Sequence, residues 1–424
     1  MSKIIKELPE LVEQNVISKE VATKIEHYYL DKQSESPNRL VSVFGVLGAL
    51  LIGLGIILIL AHNWDSFNRT IKTIFAFLPL VIGQLFAGYT IAKKKSKAWR
   101  ESTGTFLFCA IGSSISLVSQ IYNIPGNLGD FILTWTLLAL PVIYLLRSNV
   151  LAILCLTSVT YYAVEVGYAY YDNEQTPWLY LLVLAAMIPH YLKLLKAQAE
   201  ANITSIFNWL YPLSLIIVIG SFVKSNEELG FLIYLLLFSL YYGIGKIPFF
   251  ENQKLRRNGY VIFGSLGIII MLLMMSFDDF WFMQDFTFNT QETYIAIVLF
   301  IVNTIILLRS FQMKYNSSFN LFQYVFIIFT FIYFFGFHVS IIGPILVNLI
   351  ILILGVTTIK IGSDKFHFGI LNYGLLIITA LVICRFFDTN MSFVIRGLLF
   401  VIVGVGFFLA NYLMLKKRKS ISKS

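Results

Sequence analysis

Charge is what this sequence has least of. Asp, Glu, Lys and Arg make up 13% of its 424 residues, against about 25% in a soluble domain. No single core could hide the 58% that is hydrophobic, which excludes a secreted globule, a disordered protein and an ordinary cytosolic enzyme. Cysteine is scarce as well. Cys109, Cys155 and Cys384 each sit inside an apolar run, giving neither a disulfide framework nor a metal-ligand spacing. No cofactor and no metal site is expected. A cleavable signal peptide is not expected either, since residues 1–39 are polar and the first apolar run opens near Leu40.

What the chain has instead is long apolar runs, at about 40–61, 70–92, 103–122, 130–146, 149–170, 178–195, 206–223, 230–248, 258–276, 292–309, 320–337, 340–359, 367–385 and 391–415. Most match the roughly 17–25 residues that cross a hydrocarbon core as a helix. The expected fold is therefore an all-α integral membrane protein, a polytopic bundle of about 14 transmembrane helices over 39–415. A cytosolic amphipathic helical hairpin is expected over 1–38 and a basic cytosolic tail over 416–424. In the hairpin, Ile4, Ile5, Leu8, Leu11 and Val12 recur at helical spacing, and Val21, Ile25 and Tyr28 follow a break at Asn15–Ser18, with Ser18 placed as an N-cap. It reads either as a strap on the membrane domain or as a docking module for a protein partner.

The net charge of +9 is decided by its placement at the ends of apolar runs, which argues against nucleic acid. With the N-terminus inside, 27 of the 32 Lys and Arg residues fall on the cytoplasmic side of fourteen spans. A miscounted helix would flip every later loop and spoil that split. Both termini are then cytoplasmic in a bacterial inner membrane. Opposite loops run acidic, from Asp130 through Asp172, Glu174, Glu227 and Glu228 to Asp278, Asp279 and Asp285. The loop after 276 adds Phe280, Trp281, Phe282, Phe286 and Phe288, which reads as an interfacial aromatic belt.

Gly45, Ala49 and Gly53 are spaced by four, a small-residue face suited to close helix packing. Gly53 and Gly55 in the first span echo Gly404 and Gly406 in the last, which runs in the opposite direction, as inverted repeats would. Ser113, Ser116 and Gln120 form a polar stripe down one face of the third span. In lipid such a stripe must face protein or water, so it is either an interhelical seam or the wall of a solute pathway. Glu165, Arg385, Asp388 and Arg396 lie in the outer third of the membrane by this topology. Arginines reach the interface by snorkelling, whereas Glu165 calls for a partner, with Arg385 or Arg396 as the candidates.

The run from Gly53 to Asp65, containing Ala61, His62, Asn63, Trp64 and Asp65, resembles a bacterial family of predicted membrane proteins called "domain of unknown function 2157". The N-terminal segment with Leu11, Ile17 and Ser18 is similar to that family's N-terminus. So are Gln120 and Tyr122 followed by Trp135, Leu138 and Pro141, and the end from Arg385 and Asp388 to Arg396 and a basic tail. The resemblance covers roughly 1–150 and part of 345–415, and it implies a membrane location without implying an activity.

By the charge-derived topology these motifs share one face. Asn63, Trp64, Asp65, Gln120, Tyr122, Glu165, Arg385, Asp388 and Arg396 would form an outward-facing polar cluster. Mixed carboxylates and guanidinium groups suit a zwitterionic or anionic headgroup or solute; the same groups would also serve to pin helix ends together. Three functions stay open. Transport or flipping of a small solute or lipid suits the many spans and short loops, although Asn303, Asn348 and Asn372 are the notable polar residues deep in the later spans. A non-transporting scaffold or envelope sensor would act through the N-terminal hairpin. A membrane-embedded transferase, carried by Asp65, is the third; it lacks a zinc motif, a Walker loop and a nucleophile elbow.

Overall fold

The computed structural model describes residues 3–14, 16–34, 64–168, 175–282, 290–312, 320–338 and 342–388, with parts of 394–415. Among them the secondary structure is helical throughout. We label the helices α1 (Lys3–Glu13), α2 (Lys19–Ser34), α3 (Arg69–Ala92), α4 (Lys97–Tyr122), α5 (Leu128–Leu146), α6 (Asn149–Gly167) and α7 (Trp178–Ala197). There follow α8 (Asn202–Ile219), α9 (Glu227–Gly245), α10 (Gly259–Met274), α11 (Gln291–Gln312), α12 (Val325–His338), α13 (Ile342–Asp364) and α14 (Phe368–Asp388).

Ten helices among the described residues are long and apolar enough to cross a membrane. Their bounds follow the apolar runs closely. Two runs give shorter helices, the 16 residues of α10 and the 14 of α12. α10 keeps to its run within two residues at either end, whereas α12 is shortened at its start. Asn258 ends a 3-10 turn over Leu255–Arg257, and its side chain accepts the Val261 N–H, so helix begins only at Gly259. A second 3-10 turn, Leu321–Gln323, precedes α12. The division of 320–337 from 340–359 holds as two helices, α12 and α13. The first span, 40–61, and with it Gly45, Ala49 and Gly53, lies outside the described residues, and the last, 391–415, is described only in part.

The chain divides into two compact units, 1–76 and 77–424. In the first, α1 and α2 are separated by a turn. The Ser18 hydroxyl accepts the Val21 N–H at 3.4 Å, the N-cap arrangement that satisfies an orphan amide of the first turn. Leu8 is buried, while Val16 and Val21 are exposed. A 3-10 turn, Trp64–Ser66, precedes α3, and the Lys72 ammonium lies 5.7 Å from the centre of the Trp64 ring.

In the second unit successive helices pack against each other, most extensively α13 on α14, α9 on α10 and α5 on α6. Asn127, Ser148 and Asn226 cap α5, α6 and α9 with their side chains. Asn123 and Arg147 adopt left-handed backbone, with φ of 52° at both, and so end α4 and α5 abruptly. Where α9 crosses α10 there is no room for a side chain: a Cβ on Gly264 would lie 2.4 Å from the Tyr242 amide nitrogen. Such backbone-to-backbone approach is how helices gain contact in lipid, where no hydrophobic force draws them together.

Trp281 departs from the expected aromatic belt. It is fully buried, donates its indole N–H to the Met275 carbonyl at 2.8 Å, and fills the space left by Gly336 and Gly343. Those two missing side chains, from α12 and α13, form the slot that takes the ring. The deep asparagines act as stitches. Asn303 donates to the Leu236 carbonyl at 3.0 Å, tying α11 to α9, and Asn348 donates to the Ser276 carbonyl at 3.2 Å.

Candidate lipid-facing groove and the polar helix ends

Between residues 77–92 of α3, helix α4 and helix α5 runs a groove of about 830 Å3. Its length follows α5 from Asp130 to Leu146, about 24 Å at the helical rise. One end is wholly apolar, walled by Ile91, Leu107, Leu145 and Leu146. The other carries Ser119, Asn127 and Asp130 beside Phe77 and Pro125. At that end the Asn127 side chain accepts the Asp130 N–H and donates to the Asp130 carboxylate, each at 2.7 Å. The carboxylate is exposed. Ser114 and Thr134 add two hydroxyls along the walls. An apolar trench with one polar, negatively charged end has the form of a site for an amphiphile.

The wall between α4 and α5 is stiff. The Trp135 indole donates to the Phe108 carbonyl at 2.7 Å and its ring stacks on Phe108 at 4.5 Å. The indole occupies the position that a side chain at Gly112 would need. Helix α3 meets α4 through a Thr90–Thr103 hydroxyl pair at 3.3 Å and by seating Gly83 against Leu107. Gly88, on the groove's α3 side, has nothing within 4 Å of where a Cβ would stand.

The residues expected to form an outward cluster are spread over several places. Asn63 and Arg396 lie outside the described residues, as do Asp172 and Glu174. Trp64 and Asp65 lie in the first unit, Asp65 exposed on the 3-10 turn. Gln120 and Tyr122 end α4 and are exposed, close in sequence to Ser119 of the groove. Asp388 is the last residue of α14. Arg385 donates to the Ser276 hydroxyl at 3.1 Å, and its guanidinium lies 4.9 Å from the centre of the Phe277 ring. Glu165 is half-buried near the end of α6.

The polar stripe turns outward. Ser113, Ser116 and Gln120 are all exposed, and the Ser113 hydroxyl folds back to the Ala110 carbonyl at 3.0 Å. Ser114, one residue on, is the serine that is buried and lines the groove. Four serines and a glutamine crowd two turns of α4, and spacing alone does not say which of them meets a neighbouring helix.

Two carboxylates missed in the sequence pin helix ends. Glu101 of α4 receives the Asn149 N–H at 3.1 Å, the Val150 N–H at 2.9 Å and the Ser148 hydroxyl, closing the N-terminus of α6. The Asn149 side chain in turn lies 3.0 Å from Nε2 of the buried His190 on α7. At the opposite end of the unit, buried Glu292 of α11 accepts the amides of Lys224 and Ser225 at 2.6 and 2.7 Å, just before α9. An acceptor at a helix start satisfies orphan amides and meets the positive end of the helix dipole. The signal available in the sequence was only that each is an acidic residue at the edge of an apolar run.

Among the described residues, ten membrane-length apolar helices with a groove between three of them define a polytopic α-helical membrane protein. Residues 9–152 match the model of the family described as "Predicted membrane protein (DUF2157)". The groove, lined by residues between 77 and 146, lies wholly within that stretch. No curated protein and no solved structure matches the chain.

Proposed function

We propose that this membrane protein moves or flips a lipid or lipid-like amphiphile along the groove between α3, α4 and α5. The observation that carries this reading is the form of the groove. Its apolar trench is about as long as an acyl chain is deep in one leaflet and beyond, and its polar end holds an exposed carboxylate, Asp130, which favours a headgroup bearing an amine or several hydroxyls. Gln120 and Tyr122, near the polar end, are the part of the outward cluster that this reading keeps. Asp65, Glu165, Arg385 and Asp388 become helix-end residues in it. The accompanying topology has both termini in the cytoplasm of the cell membrane, with 1–38 a cytosolic hairpin, 39–415 the membrane domain and 416–424 a basic tail.

The test is reconstitution into vesicles carrying fluorescent lipids, with loss of outer-leaflet fluorescence on adding an impermeant quencher as the readout. The wild type is expected to expose inner-leaflet lipid to the quencher. Gly88→Phe, at a groove-lining position where a Cβ meets nothing within 4 Å, is expected to slow this at least tenfold while melting at the wild-type temperature. Full exchange in Gly88→Phe protein would sink the groove as the route. A scaffold or sensor acting through α1 and α2 is the second reading, favoured by the exposed Val16 and Val21 at the turn and start of α2. It predicts instead that deleting residues 1–34 abolishes partner recovery and leaves lipid movement at zero in both proteins.

A further inference from the structure

At one end of the second unit, the C-terminal ends of α9 and α13 meet the N-terminal ends of α10 and α14. Among these four ends lies a second cavity, of about 590 Å3, separate from the groove. Its mouth is basic: Lys246, just past α9, and Lys365, just past α13, both line it, as does His367. One carboxylate is present. Glu251 accepts from the Lys246 ammonium at 3.0 Å. An ammonium has three protons to donate, so two remain, and Lys365 has no acidic partner among the described residues.

The neutral groups around these lysines are also set to donate. Nδ1 of His367 accepts the Ile370 N–H at 3.3 Å, which places the proton of the neutral ring on Nε2. The Tyr242 hydroxyl accepts from the Asn320 amide at 2.6 Å and so keeps its own proton to give. Gly369 and Ile370, in the first turn of α14, bring the positive end of that helix dipole to the cavity. Farther in, the walls turn apolar with Ile262, Ile361 and Leu266, and Leu266 is 42% exposed on the flank of α10. The cavity is thus a ring of donors around an apolar recess that opens sideways where a bilayer would lie.

We infer that this cavity binds a phosphate group through Lys246, Lys365 and the start of α14, and that the phosphate is that of an anionic lipid whose acyl chain lies against Ile262 and Leu266. Two cations, a helix N-terminus and hydroxyl and imidazole donors fit phosphate oxygens, and a water-soluble phosphate would leave the apolar recess unfilled. The site is independent of the groove, which carries its polar groups around a carboxylate.

The experiment uses the full chain in nanodiscs and in detergent, with native mass spectrometry counting phosphatidylglycerol and phosphatidylcholine retained at equal supply. The wild type is expected to retain phosphatidylglycerol at least tenfold in preference. The double variant Lys246→Ala with Lys365→Ala should lose that preference. The control Lys193→Ala with Lys196→Ala, which removes two exposed lysines at the end of α7, should keep it. Leu266→Trp fills the recess without changing charge and is expected to lose the preference too, which covers the case of a double variant that fails to fold. Equal retention in the cavity variants and the wild type overturns the site, and so does an equal loss in the Lys193 and Lys196 control. Millimolar inorganic phosphate that displaces the lipid would overturn the lipid as source; retention in its presence supports it.

Discussion

The carboxylate of Glu101 accepts the backbone N–H of Asn149 at 3.1 Å, so a residue near the start of α4 closes the first turn of α6. Charge-assisted hydrogen bonds of this kind contribute about 1.5–3 kcal/mol each when a buried amide would otherwise be left unpaired. Glu101→Ala is expected to lower the apparent melting temperature in detergent by several degrees, with Glu101→Gln recovering part of the loss through its amide oxygen. The same midpoint for all three proteins would show that the cap contributes nothing.

Trp281 offers a coupled test. Removing the ring leaves a cavity that costs about 3–5 kcal/mol, and a Cβ at Gly343 would stand 2.4 Å from the indole. Trp281→Ala and Gly343→Ala should each destabilise the protein. Together they should cost clearly less than the sum of the two, because the methyl then enters space the indole has vacated. Strict additivity in thermal unfolding would mean that the indole and the glycine do not share that space.

Glu292 holds the chain just before α9. With Glu292→Ala, the amides of Lys224 and Ser225 lose their acceptor. Hydrogen exchange followed on a peptide covering 223–229 is expected to speed up at least tenfold there, with exchange in α14 unchanged. A uniform acceleration over both regions would point to global loosening instead.

The orientation can be read by labelling. In a background with Cys109, Cys155 and Cys384 replaced by serine, Glu227→Cys and Lys254→Cys put single thiols at exposed positions on the two ends of the second unit. An impermeant maleimide should label residue 227 in intact cells and residue 254 only after lysis. The reverse pattern would invert the topology drawn from the basic residues.

The helix bounds were legible because hydropathy is local: a run such as 149–170 needs only its own residues to be read, and α6 occupies 149–167. The start of α12 was less so, since the 3-10 turn at Leu321–Gln323 takes up residues at the head of the 320–337 run that look like helix. What escaped the sequence is everything set by a distant partner. Trp281 in a loop looks interfacial until Gly336 and Gly343 supply its slot more than fifty positions on. Ser114 and Ser113 are indistinguishable by composition, and only packing against α5 makes one of them part of the groove. Depth alone offered Arg385 and Arg396 as partners for Glu165, and it could not show that Ser276 and Phe277, just past α10, lie beside Arg385.

The stiffness of the groove's walls is unequal, and that has a mechanical consequence. The Trp135–Phe108 lock holds α4 to α5 at mid-length, and Glu101 ties α4 to the start of α6, making a tied panel. Helix α3 is fastened to that panel near Thr90 and Thr103. Those fastenings, with Gly83 seated against Leu107, lie toward the apolar half of the groove and leave the first turns of its α3 wall less tied. A ligand drawn to Asp130 would therefore meet the end of the groove whose α3 wall is least constrained.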